Sequence, residues 1–515
     1  MAASDHKRTL RQAGPQAGRR AVLGGLAACV AGAAAASAPE RTLRPAPRPT
    51  AEALEAARTL RASSAERIVA DAQLGAGKVA FAVADAGTGE VLETFRPLFP
   101  QPPASVAKAV TALYALDRLG PGHRFGTEVL CHGTMDDNGR LEGDLILAGS
   151  GDPLLQTNDL AVLATRLKEA GLTGVTGGFR VWNGALPRVE RIDPGQPDHV
   201  GYNPAVSGLN LNFNRVHFEW RRAGAGYSVS MDARSDKYRP EVQVARMSVV
   251  SRSTPIYTYE DAGDVDAWTV ASGALGSSGA RWLPVREPAL YAAEVFQTFA
   301  RSHGIALGKP SLIDTLPDGS LPLTRVESAS CDTILRGMLK YSTNITAEVM
   351  GLAATVSTGL PPRDLEASAS RMSDWLAAAI GSRRPDFVDH SGLGGESRIT
   401  PTDMVRALVK LGPKAGLSPL LKPIPLRDAS YRVIQGSPVR VQAKTGTLNF
   451  VSGLGGYVTA AGGRELAFAI FAADTERRAR IPKSQRERPD GAASWARRAR
   501  VLQHRLIDRW VTLYG

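Results

Sequence analysis

Residues Pro102–Val110 read PPASVAKAV. Two prolines forbid an earlier helix start, and Ser105 and Lys108 then fall one turn apart on one side of the helix that follows. Taken alone, Ser105 would cap that helix and Lys108 would be a solvated charge. Ser-x-x-Lys is a short pattern, and a second copy lies at Ser4 to Lys7. Two further patterns change the reading. YSTNITAE (341–348) holds Ser342-x-Asn344, the only S-x-N in the chain, on or beside a helix with an apolar face. VQAKTGTLNF (441–450) holds Lys444-Thr445-Gly446, the only K-[ST]-G, at the end of a strand-like run. No G-x-S-x-G elbow, H-E-x-x-H or Walker A loop occurs, and the eight histidines show no ligand spacing, so no metal and no cofactor is implied. A nucleophile here would be activated by something other than histidine.

The residue types suit acyl transfer. A serine hydroxyl needs a neighbouring base to take its proton. Lys108 can be that base if its pKa is lowered by burial beside another cation, for which Lys444 is the candidate. Ser342 could pass a proton to a leaving amine, and Asn344 could hold a substrate amide. Thr445, in the field of Lys444, suits a carboxylate. Gly446 would leave room for a substrate backbone along the strand, and the N–H groups at Ser105 and Thr447 could form an oxyanion hole.

The chain has 515 residues, 43% of them hydrophobic and 22% charged, enough for about three structural units. Of the net charge of +12, +4 falls in the first 38 residues. The mild excess that remains suits an anionic polymer or a membrane surface; with no RNP-like motif or zinc-finger spacing, nucleic acid is not indicated. GRRAVLGGLAACVAGAAAASA (18–38) has an arginine pair, a short alanine-rich apolar stretch and an A-x-A site. It is expected to be a twin-arginine-like export signal over 1–38, delivering the protein to the periplasm. LAAC (26–29) leaves lipid anchoring at Cys29 as the lesser alternative. Residues 39–49 read as a proline-rich linker. The remaining Cys131 and Cys331 leave two readings open, a pair or two buried thiols.

Beyond the linker, 50–72 has helical composition, KVAFAVADA (78–86) and VLETF (91–95) read as a hairpin, and a buried helix should run from Ser105 to Leu119. From 128 to 283 short strand-like runs broken by Gly, Asn, Asp and Pro predict a mostly β inserted module with one helix near 159–171. Three apolar runs near the C-terminus predict an antiparallel meander. The last helix spaces Trp495, Ala499, Leu502, Leu506 and Trp510 along one face opposite a basic one. It could lie on a membrane; packing on the sheet is the favoured alternative.

The three motifs in this order resemble those of the low-molecular-mass class C penicillin-binding proteins, the D-alanyl-D-alanine carboxypeptidase/endopeptidase family. LEGDLILAGSGDPLL (141–155), YNPAVSGLNLNFNRV (202–216) and DHSGLGGESRITPTDM (389–404) are similar to further recurring segments. The last departs from the shorter, arginine-bearing turn more usual in the family. The resemblance implies an α+β fold: a penicillin-recognising core of antiparallel sheet and flanking helices over 50–127 and 284–515, with the inserted module at 128–283. It also implies hydrolysis of peptidoglycan stem peptides and cross-links through an acyl-enzyme on Ser105, and reaction with β-lactams. Lys108, Ser342, Asn344 and Lys444 would be the other catalytic residues, and Thr445, Gly446 and Thr447 would bind substrate. The alternatives are a serine β-lactamase or esterase of the same fold, and a non-catalytic peptidoglycan-binding protein.

Overall fold

The computed structural model describes residues 63–515 apart from 384 and 429. The expected export signal, the linker and the N-terminal part of the 50–72 helix lie outside the described residues; within them that helix spans Ala65–Asp71.

The central sheet is built from both ends of the described chain. Its order is Lys422–Pro423, Arg440–Leu448, Val451–Thr459, Glu465–Ala473, Lys78–Asp85, Val91–Phe95, with every pairing antiparallel. Both the hairpin and the meander expected from the alternating apolar runs are present. The C-terminal helix Ala492–Tyr514 covers one face, burying Trp495, Ala499, Leu502, Leu506 and Trp510 against Phe81, Phe468 and Ile470. Full burial of each large apolar side chain contributes about 1.5–3 kcal/mol. The stripe that might have faced a membrane is thus spent on the sheet. Arg509 and the Trp510 indole both donate to Glu93 on the outermost strand, at 2.8–3.1 Å, which pins the helix in register.

The opposite face carries the helix that starts behind Pro102–Pro103. One 3₁₀ turn, Ala104–Val106, leads into Ala107–Leu119, which Gly120 ends at φ 80°. Residues 107–115 are buried on all sides. The first turn rests on a floor of glycines: a Cβ at Gly446 would meet the Pro103 carbonyl at 2.6 Å, and Cβ atoms at Gly453 and Gly455 would meet Val106 at 3.0 and 3.1 Å. Gly446 and Gly453 are paired across adjacent strands, as are Lys444 and Gly455. The sheet is bare where the helix start must come closest.

The inserted module is larger than expected. Gly126–Met135 opens it, and Leu321–Glu327 pairs antiparallel with that strand. The two close the sheet Pro310–Ile313, Phe179–Trp182, Arg140–Gly149, Gly126–Met135, Leu321–Glu327. The helices Thr157–Glu169 and Pro288–Ser302 share one apolar cluster with the module's two three-stranded sheets. The boundary at 283 therefore moves to 327, because a strand distant in sequence returns to pair with the module's first. Cys131 and Cys331 are free, buried, and in different apolar clusters.

Candidate active site

The three motifs meet at the start of the buried helix. Lys108 has no exposed surface. Its Nζ lies 3.1 Å from Ser105 Oγ and donates to Asn344 Oδ1 at 2.8 Å and to the Ser391 carbonyl at 2.7 Å. Asn344 Nδ2 donates to the Tyr202 carbonyl at 2.9 Å, which fixes which end of the amide faces the lysine. Two of the three partners of Lys108 are therefore pure acceptors. In the neutral amine both hydrogens go to them, and the lone pair is left for the Ser105 hydroxyl.

Local backbone geometry presents these groups. Ala104 sits at φ 47° immediately before the serine, a left-handed conformation that costs a residue with a Cβ about 1–2 kcal/mol. Ser342 is likewise left-handed, φ 60°, and with Thr343 forms the joint between the helices Cys331–Tyr341 and Asn344–Val356. The helical pattern of 331–354 is broken at the motif serine, which turns its hydroxyl to accept from Lys444 Nζ at 2.9 Å. Lys444, only 1% exposed, also donates to the Thr445 carbonyl at 2.8 Å.

Asn449–Phe450 is a two-residue turn, and Leu448 pairs with Val451 across it. The alternation of an antiparallel pair then turns the Thr447 N–H outward from the sheet. At the helix start, the Ser105 N–H has no intrahelical partner. Ser105, Ser342, Asn344 and Thr447 line one cleft of about 870 Å³ with Gln196 and Tyr202 of the inserted module. Lys108, Lys444 and Gly446 are buried behind it, and Thr445 is exposed beside it.

Two expectations need correction. The space kept by Gly446 is occupied by the nucleophile's own turn, at Pro103, rather than reserved for substrate. Burial, not Lys444, is the main cause that pushes Lys108 down to about 8, while the buried carboxylates Glu348 and Asp389 hold it up. The mutual repulsion of the lysines is felt at Lys444, which burial first and then Lys108 and Lys422 push well down.

Sequence reasoning missed the groups behind the motifs. Glu348 is fully buried, and burial raises its carboxyl to about 8. Asp389 is buried and raised by the same cause to about 6, even though it accepts from the Gly392 and Gly394 N–H groups. The unusual HSGLGGESR turn is the loop whose Ser391 carbonyl holds Lys108. Glu348 was findable, since it lies four residues after Asn344 on one helix face. The carbonyls of Ser391 and Tyr202 were not, since any residue type supplies one.

Comparison with known proteins decides the family: residues 61–497 match the model of the D-Ala-D-Ala carboxypeptidase 3 (S13) family. The chain belongs to the S13 family. As an S13 member it is a serine-type DD-peptidase. The D-alanyl-D-alanine carboxypeptidase of an Actinomadura species is 26% identical over 436 residues, covering 79% of each chain. The D-alanyl-D-alanine carboxypeptidase DacB of Haemophilus influenzae is 24% identical over 390 residues, 72% of this chain and 79% of its own. The crystal structure of penicillin-binding protein 4 from H. influenzae superposes with a TM-score of 0.69 at 20% identity, over 87% of this chain and 99% of that one. The S13 chain thus shares the penicillin-binding protein fold.

Proposed function

We propose that this chain hydrolyses the terminal D-Ala-D-Ala bond of peptidoglycan stem peptides, and the peptide cross-links between them, through an acyl-enzyme on Ser105. The observation that carries the reading is the Lys108 amine, buried and held by two acceptors so that its free lone pair meets the Ser105 hydroxyl. In the first step Ser105 Oγ bonds to the scissile carbonyl carbon and its proton passes to Lys108 Nζ. The oxygen that becomes negative lies between the Ser105 and Thr447 N–H groups. As the C–N bond breaks, the leaving amine takes a proton from the Ser342 hydroxyl, which is hydrogen-bonded to Lys444, and the proton that Lys108 gained makes good that loss, so that Lys108 is neutral again. Water then attacks the ester, giving its proton to Lys108, and Ser105 leaves with one. Lys444 and Thr445 supply the positive field and the hydroxyl for a terminal carboxylate. β-Lactams would follow the first step and stall before the second.

The arginine pair and the A-x-A site at 18–38 support export to the periplasm, where this substrate lies. The decisive test is benzylpenicillin with intact-protein mass spectrometry. One adduct, mapped to the Ser105 peptide and lost in Ser105→Ala, is expected; no adduct on the wild type would end the reading. Purified muropeptides then separate the activities: free D-alanine reports the carboxypeptidase, and conversion of dimers to monomers the endopeptidase.

A further inference from the structure

The loop Asp389–Gly394 touches the reacting lysine through one backbone carbonyl, so whatever fixes that peptide fixes the base. Its carbonyl side faces the nucleophile helix: His390 O accepts from Thr111 Oγ1 at 2.6 Å and Ser391 O from Lys108 Nζ at 2.7 Å. Its N–H groups face two carboxylates: Glu348, on the neighbouring helix, accepts at Oε2 from His390 N at 2.9 Å and at Oε1 from Ser391 N at 3.0 Å, and the loop's own Asp389 accepts from Gly392 N at 2.6 Å and Gly394 N at 2.5 Å. The packing leaves no alternative seat. A Cβ at Gly351, one turn beyond Glu348, would strike the His390 ring at 2.1 Å, and one at Gly392 would strike the Ala104 carbonyl at 1.9 Å. The loop is thus wedged between the Asn344 helix and the turn that carries Ser105.

Resting on the reading of Lys108 as the base, we propose that Glu348 is a positioning residue for the acylation step, holding the Ser391 carbonyl on Lys108 and setting the charge of that lysine. It touches neither substrate nor the reacting hydroxyl. The charged groups around it are Lys108 from the nucleophile helix and Asp389 from the loop, and Lys444 acts on Lys108 from the strand beyond. The His390 ring, buried and pushed down to about 3, stays neutral with its Nε2 at 2.8 Å from Ser368 Oγ. Glu348 is therefore the carboxylate whose charge opposes the burial of Lys108 while its two oxygens aim the loop. Asp389 also opposes that burial, but its oxygens accept from Gly392 and Gly394 within its own loop, whereas Glu348 holds the loop from another element.

The test follows benzylpenicillin acylation rate against pH, counting only active sites that become acylated so that unfolded protein drops out. The neutral amine reacts, so wild-type rate rises with pH. Glu348→Gln removes the charge that favours the ammonium, so the midpoint should move to lower pH by at least about one unit while the plateau falls about 10–100-fold. Glu348→Asp keeps the charge on a shorter arm: its midpoint should stay and its plateau fall. An unmoved midpoint in Glu348→Gln overturns the proposal, since a purely structural acceptor lowers the plateau alone. Should Glu348→Gln give no folded protein, Glu348→Asp decides by itself, and either a displaced midpoint or an undiminished plateau overturns the proposal. Lys108→Ala run in parallel keeps the two questions apart, because normal acylation by that variant would remove Lys108 as base whatever Glu348 does.

Discussion

At the scale of single residues the site is two hydrogen-bonded sets, Ser105–Lys108–Asn344 and Ser342–Lys444, and each sets an expectation. Lys108→Ala removes the amine that meets the nucleophile, and acylation by penicillin should fall by about 10²–10⁴-fold, measured by stopped-flow with a chromogenic β-lactam. Circular dichroism of the same variant should be unchanged. In the wild type, burial places Lys108 at about 8. Since a lowered lysine pKa makes the neutral amine available as pH rises through it, acylation should climb between about pH 7 and 9 and level off above. A rate flat across that range would count against a lysine base. Replacing Lys444 with Ala should raise KM for a peptide ending in a free carboxylate more than for its amide, which steady-state kinetics with the two peptides would read. The three motifs were legible at this scale because each is a residue type with a chemical reason. Their backbone partners were not, since a carbonyl from Ser391 or Tyr202 leaves no mark on composition.

At the scale of elements, the packing of the nucleophile turn on the sheet decides where Ser105 stands. Gly446→Ala puts a methyl 2.6 Å from the Pro103 carbonyl, and overpacking of this kind costs about 1–3 kcal/mol. A lowered Tm accompanied by lost penicillin labelling is expected, because relief of the clash moves Ser105. The sequence reading found the strands and helices from their periods, FVSGLGGYVTA among the apolar runs, but gave the glycines inside that run no role. They lie inside a strand, and their purpose appears only when a distant helix is laid on them. The same blindness to long-range pairing placed the module's end at 283: Leu321–Glu327 has no local sign that its partner is Gly126–Met135. The break at Ser342 was hidden for another reason. A single left-handed residue interrupts an otherwise helical pattern, and serine is not the residue usually found there.

At the scale of the whole molecule, one buried guanidinium holds together the part of the inserted module that reaches the cleft. Arg286, 1% exposed, donates to the carbonyls of Asn203 at 2.7 Å, Asp198 at 2.9 Å and Glu190 at 3.1 Å, gathering the loop that ends at Tyr202. Arg286→Met should lower the unfolding free energy by about 2 kcal/mol or more, read from urea melts. Ion pairs of Arg281 with Glu487 and of Asp198 with Lys483, and a hydrogen bond between His199 and Glu487, tie the module to the segment on the far wall of the same cleft. The Tyr202 carbonyl that steadies Asn344 comes from within this module. A minimal hydrolase therefore cannot be made by excision: splicing 125 to 328 with a short linker would leave the carboxamide free to swing off the amine, and the trimmed protein would keep its serine yet lose the partner that aims its base.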